Sequence, residues 1–111
     1  MYLDEIDCKI VIGVKKMQKY IVLGNWTDQG RKTLDDIPKR IEKSHKLVEE
    51  HNGSLSVCFT MGKYDFVGIV DMPDEESMAK VVLKLNSMQN FKTNTLRAWP
   101  DNEFAKLVSE L

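Results

Sequence analysis

Cysteine is scarce in this chain: Cys8 and Cys58 are the only two among 111 residues, and neither belongs to a CxxC or Cys/His cluster. No disulfide framework and no zinc-ligand spacing is present, a usage that fits a reducing compartment. An excess of one charge is also missing. Sixteen basic residues face 17 acidic ones for a net charge of -1, and the lysines are dispersed among acids, as in the stretch from Pro38 to Lys46. A nucleic-acid binder would gather its basic residues on one element, so no nucleic-acid partner is expected. Long apolar runs are absent as well: Ile10-Val11-Ile12 is too short to span a membrane or to serve as a signal core. Asp4, Glu5 and Asp7 stand where a secretion signal would be basic, and the expectation is a cytoplasmic protein with no membrane partner. No phosphate-binding loop, dinucleotide turn, serine nucleophile elbow or metal signature occurs, so no cofactor and no metal are expected.

What is present is an ordinary globular composition, 42% hydrophobic and 30% charged, on a length that suits one domain. Tyr20 to Thr27 is apolar on both alternating faces, the pattern of a central strand covered on both sides. Thr27 to Lys32 reads as a loop. Asp35, Asp36 and Pro38 then open a helix whose face runs through Ile37, Ile41, Ser44 or His45, and Val48, ending near His51-Asn52-Gly53. Strands over Ser54 to Met61 and Asp65 to Asp71 form a hairpin, with Gly62 as the residue most able to adopt positive φ in the reversal. A second helix follows, with Asp74 as N-cap and Met78, Val81, Val82 and Leu85 as a buried stripe in which methionine is core filler. Phe91 to Trp99 is the last strand. Asp101 to Leu111 makes a short amphipathic helix carrying Phe104, Leu107 and Val108.

The order is β-α-β-β-α-β plus a terminal helix: an α+β, ferredoxin-like fold with a four-stranded antiparallel sheet, its first and third strands central. Two helices cover one face of such a sheet. The other face carries enough apolar side chains to be costly in water, at roughly 25 cal/mol per Å², so a second copy is its expected cover and the chain is expected to be a homodimer or an assembly of dimers.

Gly62-Lys63-Tyr64-Asp65 resembles the motif that names the GYD domain family, and Tyr20 to Gly30, Thr60 to Phe66 and Thr95 to Arg97 are similar to its other signature stretches. The resemblance covers roughly Lys19 to the C-terminus. It implies a small ferredoxin-like domain related in architecture to the dimeric α/β barrels, with no established catalytic role for the motif residues. Residues 1–16 precede this region and read as an N-terminal extension to a domain over 17–111. Met17 is then an alternative start, and a short added strand at Lys9 to Val14 is the rival reading.

Several residues are candidates for a site. Gly24 and Gly68 lie inside central strands; as neighbours they would floor a pocket rimmed by Tyr20, Trp26 and Phe66, the alternative being close helix-to-sheet packing. Arg97, alternating with Thr93, Thr95 and Trp99, is a candidate clamp for a small carboxylate, or else an ion-pair partner of Asp65, Asp71 or an acid of a second subunit. Asn25, Trp26 and Asp28 leave the first strand together as a polar mouth or as plain turn formers. Tyr64 and Asp65 are a candidate proton-transfer pair, against a hairpin lock or dimer contact. His45 and His51 lack partners at ligand spacing and read as structural, and Cys58 reads as a small buried hydrophobe. The leading functional expectation is an oligomeric module that binds a small organic molecule through Asn25, Trp26, Tyr64, Asp65 and Arg97. The hairpin also resembles that of the ligand-sensing domains of Lrp/AsnC-type regulators, although no helix-turn-helix accompanies it. The alternatives are a cofactor-independent monooxygenase- or isomerase-like enzyme and a structural or adaptor protein.

Overall fold

The computed structural model describes residues 16–111; the expectations placed on residues 1–15, an extension or an added strand at Lys9 to Val14, lie outside the described residues. Strand β1 (Gln18–Trp26) is followed by a short helix α1 (Asp28–Lys32), a 3-10 turn (Leu34–Asp36) and helix α2 (Ile37–Glu50). The hairpin strands β2 (Ser54–Phe59) and β3 (Phe66–Met72), helix α3 (Glu75–Ser87), strand β4 (Phe91–Ala98) and helix α4 (Asp101–Ser109) complete the chain. The sheet order is β2-β3-β1-β4 with every neighbour antiparallel. This is the ferredoxin-like arrangement expected from the element order, with β1 and β3 at the centre.

Residues opposite one another in this register share a face. Tyr20, Val22, Val70 and Met72 point to one side, where they join Leu47 and Val48 of α2 and Met78 and Val81 of α3 in the core. Met72 and Val81 are fully buried, and Val48 is nearly so. The α3 cap is as expected: the Asp74 carboxylate accepts from the Ser77 N–H at 2.8 Å. α2 ends through Asn52, which takes the left-handed φ of 65° while the Gly53 N–H bonds to the Val48 carbonyl at 3.0 Å.

Two local expectations are corrected. Thr27 to Lys32 is a helical turn rather than a loop, because the Thr27 hydroxyl accepts from the Gly30 N–H at 3.1 Å and caps it. Cys58 is exposed rather than buried: on the edge strand β2, alternation turns Leu55, Val57 and Phe59 toward the helices and leaves Ser54, Ser56 and Cys58 on the other side.

Among the described residues no helix lies over that other side of the sheet. It carries Ile21, Leu23, Val67, Ile69 and Leu96, with Ile69 42% and Leu96 48% exposed. At its margin Lys19 and Asp71, directly opposite on β1 and β3, form an ion pair at 2.9 Å. The uniformly apolar reading of β1 therefore has two physical causes, a core on one face and an open apolar sheet on the other.

Candidate functional site

Gly62 turns the β2–β3 loop with φ at 127°, a conformation that a side chain would strain. Thr60 and Asp65 close the loop: the Thr60 N–H donates to the Asp65 carbonyl at 2.8 Å and the Thr60 hydroxyl to the Tyr64 carbonyl at 2.6 Å. Asp65 then reaches across to β1. Its N–H donates to the Gly24 carbonyl at 2.8 Å, and its carboxylate accepts from the Trp26 N–H at 2.9 Å and from the Asn25 amide at 3.4 Å. Asn25 also donates to the Lys63 carbonyl at 2.8 Å. The loop is thus clasped to the end of β1, and the charge-assisted bond from Trp26 is the strongest kind in the set.

Asn25, Trp26, Tyr64 and Asp65 therefore gather at one end of the sheet. Tyr64 is half-buried, with the Lys63 ammonium 5.7 Å from its ring centre. Arg97 sits elsewhere. It is opposite Tyr20, six residues along β1 from Trp26, which is about 20 Å at the rise of a strand. Its guanidinium lies over Trp99 at 4.5 Å and Tyr20 at 5.6 Å, and it donates to the carbonyls of Lys19, at 3.1 Å, and Ala98. Asp71 is held by Lys19 instead. Burial raises the Tyr20 phenol above its ordinary value, with Arg97 acting in the opposite direction.

The two strand glycines behave differently. Gly24 is opposite Phe66, and a Cβ there would meet the Phe66 ring at 2.0 Å. The ring covers the gap in the strand, so this glycine serves cross-strand aromatic packing. Gly68 is opposite Val22 and Val57 and has only ordinary neighbours, the nearest being Leu55 at 3.5 Å. It lies under a wholly apolar cavity of about 60 Å³ between α2, α3 and the sheet.

One wall of that cavity is an aromatic cluster: Trp26 packs on Phe59 at 6.0 Å and Phe66 at 5.4 Å, and Phe66 meets Phe91 edge-on at 5.4 Å. Arg40 of α2 lies 5.8 Å over Trp26 and ties α2 to the preceding turn through the carbonyls of Gly30, at 3.2 Å, and Thr33, at 2.8 Å. On the outer side of Trp26 an open cleft of about 440 Å³ is bounded by Asn25, Asp28, Arg31 and Lys92, with Arg31 paired to Asp28 at 2.8 Å. Asn25, Trp26 and Asp28 line this cleft together with Arg31 and Lys92.

Arg40, Phe59, Phe91 and Lys92 were not among the sequence candidates. The spacing of Arg40 from Ile37 was a usable signal, because three residues along a helix share a face; the strand register that brings Lys92 opposite Asn25 had none. His51 accepts or donates locally at the Leu47 carbonyl, at 2.9 Å, as a structural residue. Among the described residues no group of His, Cys, Asp and Glu is placed to hold a metal ion.

A four-stranded antiparallel sheet with two helices on one face, an apolar open face and a hairpin clasped by Asp65 defines a ferredoxin-like α+β domain. The family model for the GYD domain matches residues 20–108, and the chain belongs to that family. A curated relative, the glutamine synthetase and cystathionine beta-lyase binding protein of Thermus thermophilus, is 37% identical over 97 residues, covering 86% of this chain and 99% of that protein. The fold is shared with the leucine response regulatory protein of Mycobacterium tuberculosis, at a TM-score of 0.55 and 18% identity, over 75% of this chain and 51% of that one. The chain thus spans about half the length of that regulator. At3g17210 of Arabidopsis thaliana is similar in fold at a TM-score of 0.58 and 12% identity, over 75% of this chain and 94% of that one.

Proposed function

We propose that this chain is a homodimeric binding module of the cytoplasm whose partner is a metabolic enzyme. The observation that carries the reading is the 37% identity, over nearly the whole of its length, to a protein named for binding glutamine synthetase and cystathionine beta-lyase. The geometry agrees with it. Asp65 is engaged by backbone and amide donors on β1, and Arg97 by carbonyls and ring faces, so neither stands ready as an acid, a base or a carboxylate clamp. Apolar surface, by contrast, is abundant on the open sheet, and a second copy is its natural cover.

The test is titration calorimetry of the purified protein against glutamine synthetase and cystathionine beta-lyase from the same organism, with an unrelated enzyme as control. Saturable binding of either enzyme, and none of the control, is the expected result. Heats indistinguishable from the control for both would overturn the proposal.

A second reading has its own observation. The apolar cavity above Gly68, walled by Trp26, Phe59 and Phe66, fits a small apolar group, and the cleft beside Asn25 and Lys92 fits a polar end. Native mass spectrometry of protein purified gently from its own source would show a discrete adduct on that reading and bare protein against it.

A further inference from the structure

Helix α4 is the element that the fold leaves unexplained. Of its residues Glu103 alone is partly buried, where it meets Lys16 at 3.4 Å, and among the described residues no strand or helix packs along it. Phe104, Leu107 and Val108, with Leu111 just beyond, fall on one stripe at helical spacing. They are 55%, 45%, 52% and 103% exposed. An isolated nine-residue helix is marginal in water. An apolar stripe of this kind ordinarily stabilises its helix only when something covers it.

The occupant follows from area. A four-stranded sheet is about 20 Å across, and strands of six to nine residues are about 20–30 Å long, so the open face offers roughly 400–600 Å². A stable interface buries about 800 Å² per partner. The open sheet alone therefore falls short of what a lasting dimer needs, and the α4 stripe is a further apolar surface outside the core. α4 follows the edge strand β4 after Trp99 and Pro100, and its Glu103 meets Lys16 just ahead of β1.

We infer that α4 is a dimerisation arm, its Phe104, Leu107, Val108 and Leu111 stripe seated on a second copy of this chain. The inference rests on the homodimer reading above and adds the element that completes the interface. In a two-fold dimer each arm clasps the other subunit, so the arm contributes twice.

The experiment measures mass by light scattering across a dilution series of the full chain. Wild type is expected at twice the 12.8 kDa chain mass. Phe104→Glu with Leu107→Glu should raise the dimer dissociation constant at least about a hundredfold, while Lys106→Glu, on the opposite side of α4, should leave it within a few-fold of wild type. A double variant that stays dimeric at wild-type affinity overturns the arm and leaves the sheet-face dimer standing. A monomeric wild type overturns both.

Hydrogen exchange gives a readout independent of any variant. α4 amides should be protected in the dimer and lose that protection on dilution to monomer. Protection that is missing in the dimer, or that arises only when a partner enzyme is added, overturns the assignment to a second copy.

Discussion

Asp65 shows what the family's name-giving motif does in this chain. Its carboxylate accepts from the Trp26 N–H and the Asn25 amide at the end of β1, and its own N–H donates to the Gly24 carbonyl. Removing one partner of such a set leaves an N–H without an acceptor, so Asp65→Ala should cost about 1–3 kcal/mol, read as a lowered urea midpoint. Asp65→Asn keeps an acceptor oxygen and should lose less. An unchanged midpoint in Asp65→Ala would show that the clasp contributes nothing. Tyr20 makes a second prediction at this scale. Burial, partly countered by Arg97, holds its phenol above the ordinary value, so the folded chain favours the protonated form. The stability this contributes is complete below about pH 10, the unfolded value, and is lost as pH rises through the higher folded value. Urea midpoints followed between about pH 9 and 11 should fall more steeply for wild type than for Tyr20→Phe; parallel curves would refute the linkage.

Among the elements, β1 and β3 each carry a glycine, and the same substitution separates their roles. A methyl at Gly24 drives into the Phe66 ring, itself fixed against Trp26 and Phe91, so Gly24→Ala should destabilise by about 1–3 kcal/mol, the ordinary cost of overpacking. A methyl at Gly68 meets only van der Waals neighbours and begins to fill the apolar cavity. Gly68→Ala should therefore be neutral to stabilising, by up to about 1 kcal/mol, because the strand also loses less entropy on folding. Thermal unfolding of the pair checks both, and equal losses would contradict the packing described for them. The hairpin belongs to this scale too. Its loop is closed internally by Thr60, but it is Asp65 that fixes the loop against the neighbouring strand.

For the whole molecule, the decisive feature is the apolar side chains that lie outside the core, on the open sheet face and on α4. Ile69 lies on the central strand β3, opposite Ile21 on the open face, and a lysine at Ile69 would place a charge where a second subunit is proposed. Ile69→Lys should run as a 12.8 kDa monomer with an unchanged circular dichroism spectrum, whereas the proposed dimer should be seen for wild type. A dimeric Ile69→Lys variant would move the interface off the sheet. Enzyme binding can then be measured on the monomer, which separates self-association from partner recognition.

Much of this was legible from local pattern. Alternation over Tyr20 to Thr27, helical spacing in Met78, Val81, Val82 and Leu85, and the Asp74 cap are each determined by near neighbours, and the elements formed where those signals stood. The order of elements was then enough to choose the ferredoxin-like sheet with β1 and β3 inside. What the sequence could not carry was the register. Whether Gly24 faces Gly68 or Phe66, and whether Arg97 sits beside Asp65 or farther along the sheet, depend on how strands distant in the chain align. A shift of a single residue exchanges the two faces of a strand. Local chemistry therefore determined which elements form, and tertiary pairing alone decided which side chains meet, because the hydrogen bonds and core contacts that set register join residues some forty to eighty positions apart.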